Sequence, residues 1–266
     1  TNITSFHNCK VMVAAKLDKV QKEKMRDIYL QYDFPKVYGI SVGRYKCTRK
    51  CRMCPIFNKI PDTVQITDEI MIKALEPIGN RNVDLEVSAM GEPFTHPKCD
   101  DYMFLARKMA PKANVTFVSN GSTINEERAN KIVDSGIDVF QFSLDSGSPE
   151  TYKWLTGSNA YDDVCRKLEK LVEIRDKQNA KHLKIQTHIM GLKEQEHEFE
   201  PFVAKWSKIV DQAIVRDYGN WAGRVDDNGI TPVTANEDLP QDRYPCAWLW
   251  YCTKIEPDGN VIKCFQ

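Results

Sequence analysis

Cys47, Cys51 and Cys54 stand in the run Lys46-Cys47-Thr48-Arg49-Lys50-Cys51-Arg52-Met53-Cys54-Pro55, a C-x3-C-x2-C spacing that gathers three thiols on one short loop. Thiolates are soft donors that suit zinc and iron–sulfur clusters. A structural zinc ion takes four ligands, usually with a second Cys or His pair close by. None lies near: His7 and Cys9 are distant, and His96 belongs to a different motif. A cubane cluster also takes four ligands, so three thiolates would leave one iron open to bind and activate a small molecule. A disulfide framework fits poorly, because the nine cysteines in 266 residues are an odd number and no apolar N-terminal run suggests export.

Three further segments follow in order. Ser88-Ala89-Met90-Gly91-Glu92-Pro93-Phe94-Thr95-His96-Pro97 comes first, then Ser119-Asn120-Gly121 after an apolar strand, then Phe142-Ser143-Leu144-Asp145. Alone, Asn-Gly and Asp-Ser-Gly are ordinary turn chemistry. Together with the cysteine run they resemble the radical S-adenosylmethionine (SAM) superfamily, with its cluster loop, Gly-Gly-Glu-Pro segment and Thr-Asn-Gly and Ser-Leu-Asp strand ends. Met90 stands where the family segment has its first Gly, but backbone contacts survive that change because every residue carries a peptide group.

The resemblance implies a 4Fe-4S cluster on Cys47, Cys51 and Cys54 whose open iron chelates SAM. It implies that Met90, Gly91 and Glu92 hold the SAM amino group, that Asn120 and Ser143 hold its ribose or carboxylate, and that Met53 and Met190-Gly191 hold the adenine. One electron cleaves the cofactor, and the resulting radical takes a hydrogen atom from a substrate carbon held almost in contact with it.

Composition is that of an ordinary globular chain, with 42% hydrophobic and 28% charged residues. Lys plus Arg number 37 and Asp plus Glu 37, so no overall charge favours a nucleic-acid backbone. No stretch reads as a membrane span, and a cytoplasmic location is expected. The local run of cations from Arg44 to Arg52 fits beside an anionic cluster.

Strands at 37–42, 83–88, 114–119, 139–144, 183–190 and 212–217 alternate with helices at 67–78, 100–109, 125–134, 149–155, 162–175 and 196–210. The expected fold is α/β, a partial (β/α)6 TIM-type barrel with parallel strands and right-handed crossovers. Every motif then falls at the C-terminal end of a strand, where functional loops gather in such barrels. Residues 1–34, with an amphipathic stretch at 17–29, read as an N-terminal helical segment, 35–218 as the barrel, and 219–243, rich in Gly, Asn, Asp and Pro, as linker.

Residues 244–266 resemble the opening of a SPASM or twitch extension, in which Cys246 and Cys264 would bind an auxiliary iron–sulfur cluster. Pro257-Asp258-Gly259-Asn260 is turn chemistry between two apolar arms, so a small β-hairpin is expected there. The resemblance implies further cysteines beyond Gln266, so this extension is expected to be incomplete. Buried free thiols in a plain hairpin are the alternative. Cys252 is an added thiol, read as a cluster ligand, a hydrogen-atom donor or core.

The expected activity is that of an oxidoreductase or epimerase. It would act on a small polar substrate such as a sugar, cyclitol or aminoglycoside-like compound and take its electron from a flavodoxin or ferredoxin. The compact chain, with too little length for a leader-recognition domain, and polar candidates at strand ends support this: Asp145, Gln186, His188, Asp217 and Asn220. His188 also reads as a satisfied barrel histidine. Maturation of a ribosomal peptide is the alternative, and a non-catalytic electron-transfer or metal-binding module a second one.

Overall fold

The computed structural model describes residues 33–44, 46–56, 63–219, 221, 225, 228–233 and 248–263. The expected helix at 17–29, Asn220, Cys246 and Cys264 lie outside the described residues. Along β5 (Val139–Asp145), Phe140, Phe142 and Leu144 are buried in the apolar core, while Gln141, Ser143 and Asp145 alternate to the opposite face. That period of two repeats along β1 (Val37–Arg44), β3 (Asp84–Met90), β4 (Asn114–Ser119), β6 (Lys184–Gly191) and β7 (Gln212–Asp217). It gives the sheet an apolar face under helices and a polar face inside the barrel.

Helices α1 (Asp68–Leu75), α2 (Cys99–Met109), α3 (Glu126–Asp134), α4 (Pro149–Thr156), α5 (Tyr161–Lys177) and α6 (Phe199–Trp206) form the crossovers. Their ends follow local chemistry. Thr67, Asn125 and Ser148 accept the N–H groups of Ile70, Arg128 and Thr151 as N-caps, and Gly157, at φ 70°, stops α4 in the left-handed region. In α5, Tyr161, Val164, Cys165, Leu168, Leu171, Val172 and Arg175 bury one stripe at helical spacing.

The strand order is β7-β6-β5-β4-β3-β1-β8-β9, with the two-residue β2 (Val64–Gln65) paired antiparallel to β1. All six expected barrel strands are present and parallel. One addition was not expected: β8 (Cys252–Ile255) joins the free edge of β1 in parallel, as Val37↔Cys252 through Ile40↔Ile255. The expected hairpin forms between β8 and β9 (Val261–Ile262), with Gly259 at φ 85° in the turn. Its apolar arm is therefore continuous with the barrel sheet. At the strand ends, Arg44 of β1 bonds Asp258 in that turn at 2.9 Å.

The stretch 219–243 is not a free connector where it is described. Trp221 donates its indole N–H to Met53 O at 3.0 Å, and Asn228 exchanges hydrogen bonds with Arg52. Val233 N donates to Gly191 O at 3.0 Å, and Leu192 pairs with Pro232. Gly and Asn serve here to let the backbone fold back on the cysteine loop.

Candidate active site

The cysteine loop leaves the C-terminal end of β1 and has almost no regular hydrogen bonding of its own. It is pinned to the end of α4 by Lys50 N→Thr156 O at 3.0 Å and Arg52 N→Leu155 O at 2.8 Å. Cys47, Cys51 and Cys54 are free and partly exposed. Burial pushes all three thiols above their ordinary range, Cys54 to about 11, although Arg49 opposes the rise at Cys47 and Cys51. Metal coordination would release those protons. The Arg49 N–H already points at Cys47 Sγ at 3.4 Å, and Asn120 Nδ2 lies 3.7 Å from the same sulfur, as donors to a ligating thiolate do.

Among the described residues no three His, Cys, Asp or Glu side chains converge tightly enough for a single metal ion. A cubane spreads its irons, so its cysteines need not meet at a point. The three soft donors and the N–H group aimed at sulfur fit a cluster on Cys47, Cys51 and Cys54.

Gly91 abuts that loop directly. Its φ is 151°, and a Cβ there would stand 2.3 Å from Lys46 O, so only glycine allows Glu92 N to donate to Lys46 O at 2.8 Å. Glu92 is 1% exposed. Its Oε1 accepts from Ser119 Oγ at 2.7 Å and Phe94 N at 3.2 Å, and its Oε2 from Asn120 N at 2.8 Å. Burial raises its pKa, and these donors and the Arg49 charge offset part of the rise. The carboxylate that the family resemblance assigns to SAM thus clasps the end of β3 to the end of β4.

Asn120 is a hub. Its N–H goes to Glu92, its carbonyl accepts Arg49 Nη2 at 2.6 Å, its Nδ2 donates to Thr48 Oγ1 at 3.0 Å, and its Oδ1 accepts Ser122 N at 2.9 Å. The next residue, Gly121, lies against the Phe142 ring, where a Cβ would stand 1.8 Å from the ring edge.

Asp145 ends β5 at φ 71°, a rare conformation for a residue with a side chain. Its carbonyl accepts Gln195 Nε2 at 3.0 Å; its carboxylate accepts Arg49 Nη1 at 3.1 Å and His188 Nε2 at 3.0 Å. His188 Nδ1 lies 3.4 Å from Gln141 Nε2, which assigns the proton to Nε2. Burial lowers the His188 pKa, so the ring is neutral at pH 7 despite its carboxylate partner. Burial would raise Asp145, but His188, Arg49 and Arg216 together hold its carboxyl below the ordinary range.

Met190 lies in a small apolar cluster with Leu155, Leu192 and Ile230, against which Met53, Trp154, Tyr218 and Val225 pack. The two expected adenine contacts, Met53 and Met190, therefore share one apolar site beside the cysteine loop. Gly191 keeps its backbone close to β7, since a Cβ would stand 3.1 Å from Arg216 O. Gln186 and His188 line a cavity of about 10 Å³ on the barrel floor, room for about one water.

Two expected residues are not brought to the site. Cys252 pairs with Val37 at the start of β1, whereas the cysteine loop leaves its end at Arg44. That is roughly 23 Å at about 3.3 Å per residue, so Cys252 is placed as a buried thiol of the barrel floor. Asp217 is exposed on the outer face of β7. Its neighbour Arg216, not singled out from the sequence, faces inward toward Glu86 and Asp145. Alternation within 212–217 was the available signal: the buried Ala213 fixes odd positions outward and even ones inward. The central role of Arg49 was also missed: the run from Arg44 to Arg52 reads as cations beside an anionic cluster, and nothing within it marks Arg49 as the one that is buried.

Among the described residues no helix is long and apolar enough to cross a membrane. The chain is 24% identical over 154 residues to "Biotin synthase" of Chlamydia pneumoniae, a match over 54% of this chain and 45% of that protein. It is 27% identical over 133 residues to "Probable GTP 3',8-cyclase" of Methanococcus maripaludis, over 48% and 43%. It thus spans less than half the length of these curated relatives.

Among solved structures, BtrN in complex with AdoMet and 2-DOIA superposes with a TM-score of 0.54 at 16% identity, covering 88% of this chain and 74% of that one. SuiB of Streptococcus suis bound to S-adenosylmethionine gives 0.67 at 14%, covering 91% and 63%. At such identities these structures show the fold. Residues 44–205, more than half of the chain, match the family described as "Radical SAM superfamily", and this span includes the cysteine loop, the Gly91-Glu92 turn and the Asn120, Ser143 and Asp145 strand ends. The chain belongs to the radical SAM superfamily.

Proposed function

We propose that this chain reductively cleaves SAM and uses the cleavage to abstract a hydrogen atom from a small polar substrate at the mouth of the barrel, giving dehydrogenation or epimerisation. Together, the cluster and SAM supply a carbon radical able to attack an unactivated C–H bond. Cys47, Cys51 and Cys54 would hold the cluster. The Met90-Gly91 backbone would receive the SAM amino group, Asn120 and Ser143 its ribose or carboxylate, and Met53 with Met190-Gly191 its adenine. A flavodoxin or ferredoxin would supply the electron.

The observation that supports a polar substrate is the inner face of the barrel beneath the cysteine loop. Glu86, Gln141, Ser143, Gln186, His188 and Arg216 occupy inward positions there, beside the apolar Ile214. Such a surface favours a ligand rich in hydroxyl or amino groups, because each unpaired buried polar group is costly. Asp145 and His188 shape this floor as a closed hydrogen-bonded pair. Cys246 and Cys264 are proposed ligands of an auxiliary cluster that would accept a second electron.

Maturation of a ribosomal peptide is the second reading, favoured by the similarity to SuiB bound to precursor peptide SuiA, with a TM-score of 0.66. The test is anaerobic reconstitution followed by dithionite reduction with SAM, then a screen of deuterated sugars, cyclitols and peptides for label transfer into 5'-deoxyadenosine. Label from a polyol supports the first reading and label from a peptide the second. Absence of SAM cleavage by the iron-loaded protein would overturn both.

A further inference from the structure

We propose that Arg49 is a positioning residue that locks the cysteine loop to the SAM-facing ends of β4 and β5, so that the cluster and the cofactor site form one rigid unit. The inference rests on the reading of Cys47, Cys51 and Cys54 as cluster ligands.

Arg49 lies between Cys47 and Cys51 in the sequence, yet its side chain is 1% exposed. A loop residue flanked by exposed Thr48 and Lys50 has no general reason to bury a guanidinium. Its destinations explain the burial. Nη2 donates to Asn120 O at 2.6 Å, and Nη1 donates to Ser143 O at 2.9 Å and to Asp145 Oδ2 at 3.1 Å. The guanidinium carbon sits 4.8 Å over the Tyr152 ring. One planar group therefore bridges two strand ends and one helix, and it does so from within the cluster loop.

Two of its acceptors belong to Asn120 and Ser143, the residues proposed to meet SAM. The third, Asp145, is fixed in turn by His188 and Gln195. Lys46 O and Thr48 Oγ1 also tie the loop to Glu92 and Asn120 at the ends of β3 and β4, but Arg49 is the residue that carries the tie on to β5. Arg52 reaches the other way, to Trp154 O at 2.8 Å and Asn228 O at 3.0 Å. Arg49 thus ties the loop that would hold the cluster to the residues that would hold the SAM ribose and carboxylate. Lysine cannot replace it, because a single ammonium lacks the flat fork that meets separated acceptors in one plane.

The experiment uses the anaerobically reconstituted protein, with iron per chain, SAM affinity and the EPR spectrum of the dithionite-reduced cluster with and without SAM as readouts. Arg49→Lys should hold as much iron as the wild type, bind SAM about tenfold or more weakly, and show a diminished SAM-induced EPR change. Since Arg49→Lys leaves Asp145 poorly compensated, the double variant Arg49→Met, Asp145→Asn guards against a folding failure: it removes both charges and keeps an acceptor for His188. It should behave like Arg49→Lys.

Wild-type SAM affinity and EPR response in the double variant would overturn the inference. So would loss of iron from a double variant whose circular dichroism is native, which would make Arg49 a retention device. A wild-type protein that binds no iron would instead overturn the cluster reading on which the inference rests.

Discussion

The backbone N–H of Asn120 donates to Glu92 Oε2 at 2.8 Å, while the carbonyl of the same Asn120 accepts Arg49 Nη2 at 2.6 Å. One residue thereby joins the turn after β3, the end of β4 and the cysteine loop. Three motifs separated in the chain by dozens of residues become a single hydrogen-bonded layer at the mouth of the barrel.

Glu92→Ala should destabilise the protein. It leaves Asn120 N–H, Ser119 Oγ–H and Phe94 N–H without their acceptor in a buried site, at a cost of about 1–3 kcal/mol for each unsatisfied group. Urea denaturation of the metal-free protein measures this. An effect below about 0.5 kcal/mol would mean that the clasp is not formed in solution.

Gly91→Ala puts a methyl group 2.3 Å from the Lys46 carbonyl, a backbone atom that cannot step aside without moving the cysteine loop. The variant should fold, since the core helices are untouched, but should retain clearly less iron than the wild type after reconstitution. Iron and sulfide analysis checks this. Cys47→Ala, Cys51→Ala and Cys54→Ala should each abolish SAM cleavage, and normal 5'-deoxyadenosine formation by any of them would be incompatible with the site.

The folded pKa of His188 lies below its ordinary value of 6.5. Between those two values the unfolded chain binds a proton that the folded chain does not, so stability falls as pH drops through about 6.5, by at most about 1.4 kcal/mol per pH unit. His188→Gln keeps a donor for Asp145 and cannot titrate. Denaturation curves from pH 7.5 to 5.5 should show this slope in the wild type and a shallower one in the variant; equal slopes would place the titrating group elsewhere.

Cys252→Ala should leave SAM cleavage and product formation intact, because Cys252 pairs with Val37 at the end of the barrel opposite to the cysteine loop. Loss of product with normal SAM cleavage would restore Cys252 as a hydrogen-atom donor. The paired Cys246→Ala, Cys264→Ala variant should lose iron down to about one 4Fe-4S unit while still cleaving SAM. Equal iron in wild type and variant would remove the auxiliary cluster.

The sequence alone determined the parts that depend on local chemistry. Spacing of Cys47, Cys51 and Cys54 names a cluster-type donor set, and alternation of apolar residues places the six barrel strands. Turn residues at Gly91, Asn120 and Asp145 put the motifs at strand ends. Each of these signals is carried by neighbours within a few positions, so one segment suffices to read it.

Tertiary structure decided which side chains face one another. Glu92 reads from the sequence as a cofactor ligand alone; the fold adds Ser119 and Asn120, at the end of another strand, as donors to its two oxygens. Arg49 reads as one of a run of cations beside a cluster until the loop folds over β4 and β5 and buries it against Asp145. Arg216 and Asp217 are adjacent in sequence and alternate as any strand residues do, but only the packing of Ala213 against the core decides that the first turns inward and the second to solvent. Cys252 reads from the sequence as a candidate hydrogen-atom donor, but pairing with β1 in parallel places it at the end of the barrel opposite to the Cys47, Cys51 and Cys54 loop. Hydrogen bonds and ion pairs between distant segments depend on register and curvature, which no local pattern specifies.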